Sequence, residues 1–175
     1  MARPLELDKE ADTLFAGLKA HSMVRVEHLT ISVPRGSGID LEKSFESLII
    51  RLVGRGNKSK IQYAGVWVDS PPEHAHILWV KPYVRWDRLN AIWADIIKTH
   101  PMIVSKTIKG DKSKRNDVRR LVNYLVEGQR HHTSLETGNP VPLRFFHSSK
   151  WLKAPKLTKK QAMNQPEFQE VLAYD

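Results

Sequence analysis

The residues best suited to chemistry in this chain are two histidines separated by one position, His74 and His76. They lie in an apolar segment that predicts a β-strand, and side chains two positions apart on a strand point to the same face. Neutral imidazole nitrogens are common ligands of divalent cations. The pair therefore predicts part of a metal site. The alternative is two polar histidines on an exposed sheet surface.

Two carboxylates are close to this pair in the sequence. Glu73 directly precedes His74, and Asp69 ends the strand predicted on the other side of the turn Ser70-Pro71-Pro72-Glu73. A carboxylate added to two imidazoles would suit Mg²⁺ or Mn²⁺ better than imidazoles alone. We therefore expect either acid to be able to complete the site.

A tyrosine further along the chain could supply a nucleophile. The apolar periodicity of residues 116–129 predicts a helix, and Tyr124 lies well away from its apolar stripe, on a flank shared with Asp117, Arg120 and Glu127. A hydroxyl beside an arginine and acids could attack a phosphodiester. The alternative is an inert, exposed helix tyrosine.

The charge of the chain favours a polyanionic partner. It has 28 Lys and Arg against 19 Asp and Glu, a net charge of +9, and a pI near 9.8. Residues 1–100 carry 14 basic and 12 acidic residues, whereas residues 101–175 carry 14 and 7. A concentrated basic region can neutralise several phosphates at once. The alternative is a solvated surface.

The composition also excludes several classes of protein. The chain has no cysteine, so a disulfide scaffold, a cysteine-ligated zinc site and thiol catalysis are excluded. No apolar stretch approaches the length of a membrane span, and no signal peptide is visible at the start. We therefore expect a cytoplasmic protein without membrane contact. Residues 54–59 do not have the spacing of a phosphate-binding loop, so no helicase motor is expected.

The elements that must position these residues follow one another in a recognisable order. Periodicity predicts a helix near the start, then β-α-β-β-α-β, then the tyrosine helix and a last strand near residues 143–148. This order predicts an α+β fold of the split-βαβ (ferredoxin-like or RRM-like) type, an antiparallel sheet with helices packed on it. We expect a helical extension over 1–22, one domain over 23–157 and a tail over 158–175.

Three short motifs in this order resemble the HUH endonucleases. They are the strand Glu27-His28-Leu29-Thr30-Ile31-Ser32-Val33-Pro34, the histidine pair after a hairpin, and Val122-Asn123-Tyr124-Leu125 on a later helix. The resemblance covers roughly residues 24–150. Within this superfamily the chain most resembles the rolling-circle replication initiators, the Rep proteins of plasmids and viruses. The histidines precede the tyrosine in these proteins and in single-tyrosine transposases, as they do here, whereas the tyrosine usually comes first in conjugative relaxases.

This resemblance implies a metal-dependent nicking and joining reaction on single-stranded DNA at a replication origin. His74 and His76 would hold one Mn²⁺ or Mg²⁺, and Tyr124 would attack the scissile phosphate to form a 5′-phosphotyrosine link. A helicase and a polymerase, encoded by the host or by the element, would be partners in the cytoplasm of a bacterial or archaeal host cell. We expect DNA contacts from the basic residues Lys106, Lys112, Lys114, Arg115, Arg119, Arg120 and Lys150.

The chain departs from the family pattern after the tyrosine. Many members have a lysine three residues later, where this chain has Glu127, which could instead be the third metal ligand alongside the candidates Asp69 and Glu73. No tyrosine lies four residues from Tyr124, which indicates a single-tyrosine enzyme.

Two other functions remain open from the sequence. His28-Leu29-Thr30-Ile31 and His132-Thr133-Ser134-Leu135 fit the pattern of the two-histidine phosphoesterases, which work without a metal. A non-enzymatic RRM-like binder of single-stranded nucleic acid would use Tyr63 and Trp67 as stacking surfaces.

Overall fold

The computed structural model describes residues 4–21, 26–69, 72–108 and 143–153. Within them lie the helices α1 (Pro4–Ala20), α2 (Leu41–Val53) and α3 (Trp86–Ile97), and a short 3₁₀ helix at Arg55–Lys60. The strands are β1 (Val26–Ser32), β2 (Gln62–Val68), β3 (His74–Val80), β4 (Met102–Ile108) and β5 (Leu143–His147). The predicted helix over 116–129 and its Tyr124 lie outside these residues.

The five strands form one antiparallel sheet in the order β4-β1-β3-β2-β5. The expected α+β class is confirmed, because β1, α2, the β2–β3 hairpin, α3 and β4 follow one another along the chain in the split-βαβ order. The histidine pair begins β3, which is the central strand. Its backbone is therefore hydrogen-bonded on both sides, which holds the two imidazoles on a rigid base.

Local sequence signals explain the helix boundaries. Asp40 caps α2 by accepting a hydrogen bond from the Lys43 backbone N–H at 3.0 Å, and this bond is the main cause of a lowered pKa of the Asp40 carboxyl. Gly54 ends α2 with a φ of 83°, a left-handed value that glycine adopts without strain. The 3₁₀ helix that follows was not anticipated from the sequence.

One face of the sheet, which we call the helix face, carries the core. The strand residues Leu29, Ile31, Ala75, Ile77 and Trp79 are buried there. They pack against an apolar stripe from α2 and α3 formed by Leu41, Phe45, Leu48, Ile49, Leu89, Trp93 and Ile97. The i, i+3/i+4 spacing of that stripe is the pattern that predicted the two helices.

The segment after β5 is tied to α1. The Trp151 indole N–H donates to the Thr13 carbonyl at 3.2 Å, and Trp151 itself is completely buried. A Cβ on Gly17 would lie 1.8 Å from the Trp151 indole nitrogen, so only glycine permits this close approach. His21 packs its ring against the same indole, and burial lowers the pKa of this histidine.

Candidate functional site

Four polar side chains meet on the face of the sheet opposite the helix face. Strand alternation puts His28 and Thr30 of β1 and His74 and His76 of β3 on this side, which we call the histidine face. In the register of the two strands, Thr30 pairs with His76, and Ser32 pairs with His74. All four side chains are half-buried. The sequence predicted the pairing of His74 with His76, whereas the contribution of β1 was not predicted.

His76 is held by contacts from β1. Its Nδ1 atom lies 3.3 Å from the Thr30 hydroxyl oxygen and 3.3 Å from the His28 Nε2 atom. A hydroxyl and an imidazole nitrogen can each donate or accept, so these contacts hold the ring without fixing which of its nitrogens carries the proton. The two contacts orient the His76 ring, as the hydrogen-bond partners of a metal-ligating histidine do.

His74 is oriented by its own turn. Its Nδ1 atom lies 2.9 Å from the Pro72 carbonyl oxygen. A carbonyl only accepts hydrogen bonds, so Nδ1 carries the proton and the lone pair of neutral His74 is on Nε2. The rings of His74 and His76 are 5.4 Å apart and perpendicular to each other. The two imidazoles thus lie side by side on one strand.

The structure does not bring Asp69 to the histidines. Asp69 accepts two hydrogen bonds from the Arg144 guanidinium, at 2.9 and 3.0 Å, and Arg144 also pairs with Glu42 of α2. Arg144 is opposite Trp67 in the β2–β5 register, so this ion-pair network lies on the helix face. The two carboxylates raise the already high pKa of Arg144 further, and the network ties β5 to β2 and α2.

Glu73 also lies towards the helix side. It is exposed and lines a cavity of about 320 Å³ with Asp40, Trp67, Asp69 and Arg144. In the described part of the chain, no group of three or more His, Asp or Glu side chains is arranged to hold a metal ion. The histidine pair therefore needs a further ligand from elsewhere, and the candidate Glu127 lies outside the described residues.

The predicted DNA-binding residues are only partly described. Lys106 is opposite His28 in the β1–β4 register, which places it on the histidine face of β4. Lys150 is exposed and lines a cavity of about 680 Å³ with Phe45, Tyr63 and Phe146, on the helix side of the sheet. The other predicted DNA contacts lie outside the described residues; they are Lys112, Lys114, Arg115, Arg119 and Arg120. His132 of the phosphoesterase pattern also lies outside them.

The prediction that Tyr63 and Trp67 form an exposed surface for stacking nucleic-acid bases is wrong. Trp67 is only 6% exposed and stacks on Phe146 with ring centroids 4.3 Å apart. Tyr63 packs edge-on against Phe45 in the same aromatic cluster, and burial raises the pKa of its hydroxyl. Both residues lie on the helix face and belong to the core.

Comparisons with known proteins assign the chain to no family. No protein-family model and no curated protein matches the chain. A solved structure similar to it is the crystal structure of the hypothetical protein ORF119 from Sulfolobus islandicus rod-shaped virus 1. The two chains are 17% identical with a TM-score of 0.46, and the match covers 73% of this chain and 97% of that one. Within the described residues no helix is long and apolar enough to cross a membrane.

Proposed function

We propose that this protein is a metal-dependent endonuclease that nicks and rejoins single-stranded DNA through Tyr124. The observation that carries the proposal is the placement of His74 and His76 side by side on one face of the central strand, each with its Nδ1 atom held against a partner. Together with the resemblance to rolling-circle initiators, this supports origin nicking as the biological role.

The two histidines fit a cation such as Mn²⁺ or Mg²⁺ only as part of its ligand set. Two imidazoles alone leave most coordination positions to a carboxylate, water or substrate oxygens. Glu127 is the candidate for the carboxylate, because the structure directs Asp69 and Glu73 to the other side of the sheet. When bound, the cation would polarise the scissile phosphate.

The other parts of the reaction would be carried out by residues of the chain. The Tyr124 hydroxyl would attack phosphorus, the phosphotyrosine bond would form, and the bond to the 3′ oxygen would break to leave a 3′-hydroxyl. Thr30 and His28 would keep the His76 ring fixed during the step. Because one phosphodiester replaces another, the reverse attack by a 3′-hydroxyl would rejoin the strand.

The test uses single-stranded oligonucleotides with a randomised central segment, since the recognised sequence is not known. The oligonucleotides carry a label at the 3′ end and are incubated with protein and Mn²⁺. We expect a labelled protein band that resists SDS, and we expect its loss in Tyr124→Phe, in His76→Ala and with excess EDTA. An equally strong band in Tyr124→Phe would refute the assignment of the nucleophile.

Three further outcomes of this experiment distinguish the proposed function from the alternative functions. Asp69→Asn should leave the adduct intact, because its carboxylate is engaged with Arg144 on the other side of the sheet. A binder without enzymatic activity would retain DNA equally in wild type and Tyr124→Phe and would form no adduct. A two-histidine phosphoesterase would remain active in EDTA.

A further inference from the structure

Among the described strands, the histidine face is more exposed to solvent towards β4 than towards β2. On the β2 side, Val66 and Val68 pair with His76 and His74 and are each 1% exposed. On the other side, across β1, the histidine-face residues of β4 are Met102 and Val104. They are 43% and 48% exposed. Exposure therefore rises across the sheet from β2, through the half-buried histidines, to β4.

The exposed pair lies in line with the polar cluster. Val104 is opposite Thr30, which is opposite His76, and Met102 is opposite Ser32, which is opposite His74. Neighbouring strands are about 4.8 Å apart, so β4 lies about 10 Å from the histidine strand.

Exposed apolar side chains on an edge strand favour aggregation, and proteins usually avoid them. Among the described residues the large apolar side chains that are exposed are few, and Met102 and Val104 are the two that lie in the sheet; the others are Tyr83, Trp86 and Leu152. Lys106 follows Val104 on the same face of β4, at the position opposite His28. An exposed apolar surface on a chain of net charge +9 matches an unpaired nucleotide strand, whose bases are apolar and whose phosphates are anionic.

We propose that Met102 and Val104 form a shelf on which the unpaired bases beside the reacting phosphate lie, so that the DNA strand crosses the sheet over β4. This inference rests on the proposed function and adds the path of the substrate. Contact with the bases is apolar, and it therefore contributes affinity without strict reading of the sequence.

The test compares the Met102→Gln, Val104→Thr double variant with wild type. Threonine has the shape and strand preference of valine, and glutamine has nearly the length of methionine, so the fold is retained. The control is the Tyr83→Gln, Leu152→Gln double variant, which removes exposed apolar side chains that lie outside the sheet. Binding is measured by fluorescence anisotropy with a labelled oligothymidine and with an abasic oligonucleotide of the same length.

We expect the shelf variant to bind oligothymidine about tenfold more weakly than wild type. Its affinity for the abasic strand should be unchanged, because phosphate contacts remain. The control variant should resemble wild type with both probes. A shelf variant that binds oligothymidine as tightly as wild type overturns the proposal, as does an equal loss with both probes.

Two measurements separate this proposal from its rivals. Val104→Trp should bind oligothymidine more tightly than wild type, since an indole offers a larger stacking surface. If sedimentation shows a wild-type dimer that the shelf variant converts to a monomer with unaltered DNA affinity, the shelf is a contact between two copies of the chain and the proposal fails. If the shelf variant loses oligothymidine binding while wild type forms no Tyr124 adduct, the shelf is retained and the nicking function is refuted.

Discussion

The two sides of strand β3 show how differently one strand can be used. Ala75, Ile77 and Trp79 are completely buried on the helix face. On the other side, His74 and His76 are half-buried and held by polar contacts from Pro72, Thr30 and His28. At the start of β3 the helix face buries apolar side chains, whereas the histidine face carries two oriented imidazoles beside the buried Leu78. This difference points to function on the histidine face, because stability alone would favour apolar residues there.

The largest effect is expected from the helix face. Trp79→Ala removes a completely buried indole that packs near Phe45 and under the Lys81 ammonium. We expect it to lower the free energy of unfolding by about 3–5 kcal/mol. Urea denaturation followed by circular dichroism measures this. His76→Ala, three residues away on the other face, should change the same quantity by less than about 1 kcal/mol. Equal losses in the two variants would remove the contrast between the faces.

The next effect concerns a buried ion pair on the helix face. Lys81 lies 3.2 Å from Glu27, with side chains only 3% and 10% exposed, and the Ser105 hydroxyl donates to Glu27 at 2.7 Å. Lys81→Met removes a cation from beside a buried carboxylate, which should cost about 3 kcal/mol of unfolding free energy. Adding Glu27→Gln should restore most of the loss.

A matched control for this pair lies on the surface. Lys58 pairs with Glu46 where both side chains are well exposed. Lys58→Met should cost less than about 1 kcal/mol, because solvent screens exposed pairs. The account of Lys81 would be refuted if the two lysine variants lost equal stability in the same denaturation experiment.

The smallest effect is expected at the outer surface of the helix layer. Asp95 of α3 accepts hydrogen bonds from Arg51 of α2 and from Lys98, and these bonds lower its pKa from an ordinary 3.8 to about 2. A lowered pKa in the folded state adds stability that is present above pH 4 and is lost as the pH falls through 2.

Thermal denaturation between pH 5 and pH 2 tests this contribution. Asp95→Asn should be slightly less stable than wild type at pH 5, and the two Tm values should converge towards pH 2. Because the carboxylate is exposed, the difference should be small. A constant difference in Tm over this range would show that ionisation of Asp95 contributes nothing.

The sequence predicted the helix face more completely than the histidine face. Apolar spacing was sufficient to predict α2, α3 and the β2–β3 hairpin, since each signal is local. The meeting of His28 with His76 was not predicted because the residues are 48 positions apart and depend on the register of two strands. That register is set by packing of the whole core.

The carboxylates close to the histidines in the sequence show a second limit of prediction from sequence. Asp69 was expected near His74 because it is close in sequence, yet it pairs with Arg144 on the helix face. Alternation would have given the correct side, since Asp69 is two positions after the buried Trp67. Arg144, its partner, could not have been identified, because the pairing of β5 with β2 joins residues far apart in the sequence.

Binding of Mn²⁺ to the protein tests whether the histidine face holds a cation. Electron paramagnetic resonance of free Mn²⁺ is recorded during titration of the full chain without DNA, for wild type, His74→Ala, His76→Ala and the control Asp69→Asn. We predict one saturable Mn²⁺ site in wild type and in Asp69→Asn. In each histidine variant we expect affinity at least about tenfold lower. Unchanged Mn²⁺ affinity in both histidine variants would contradict the account.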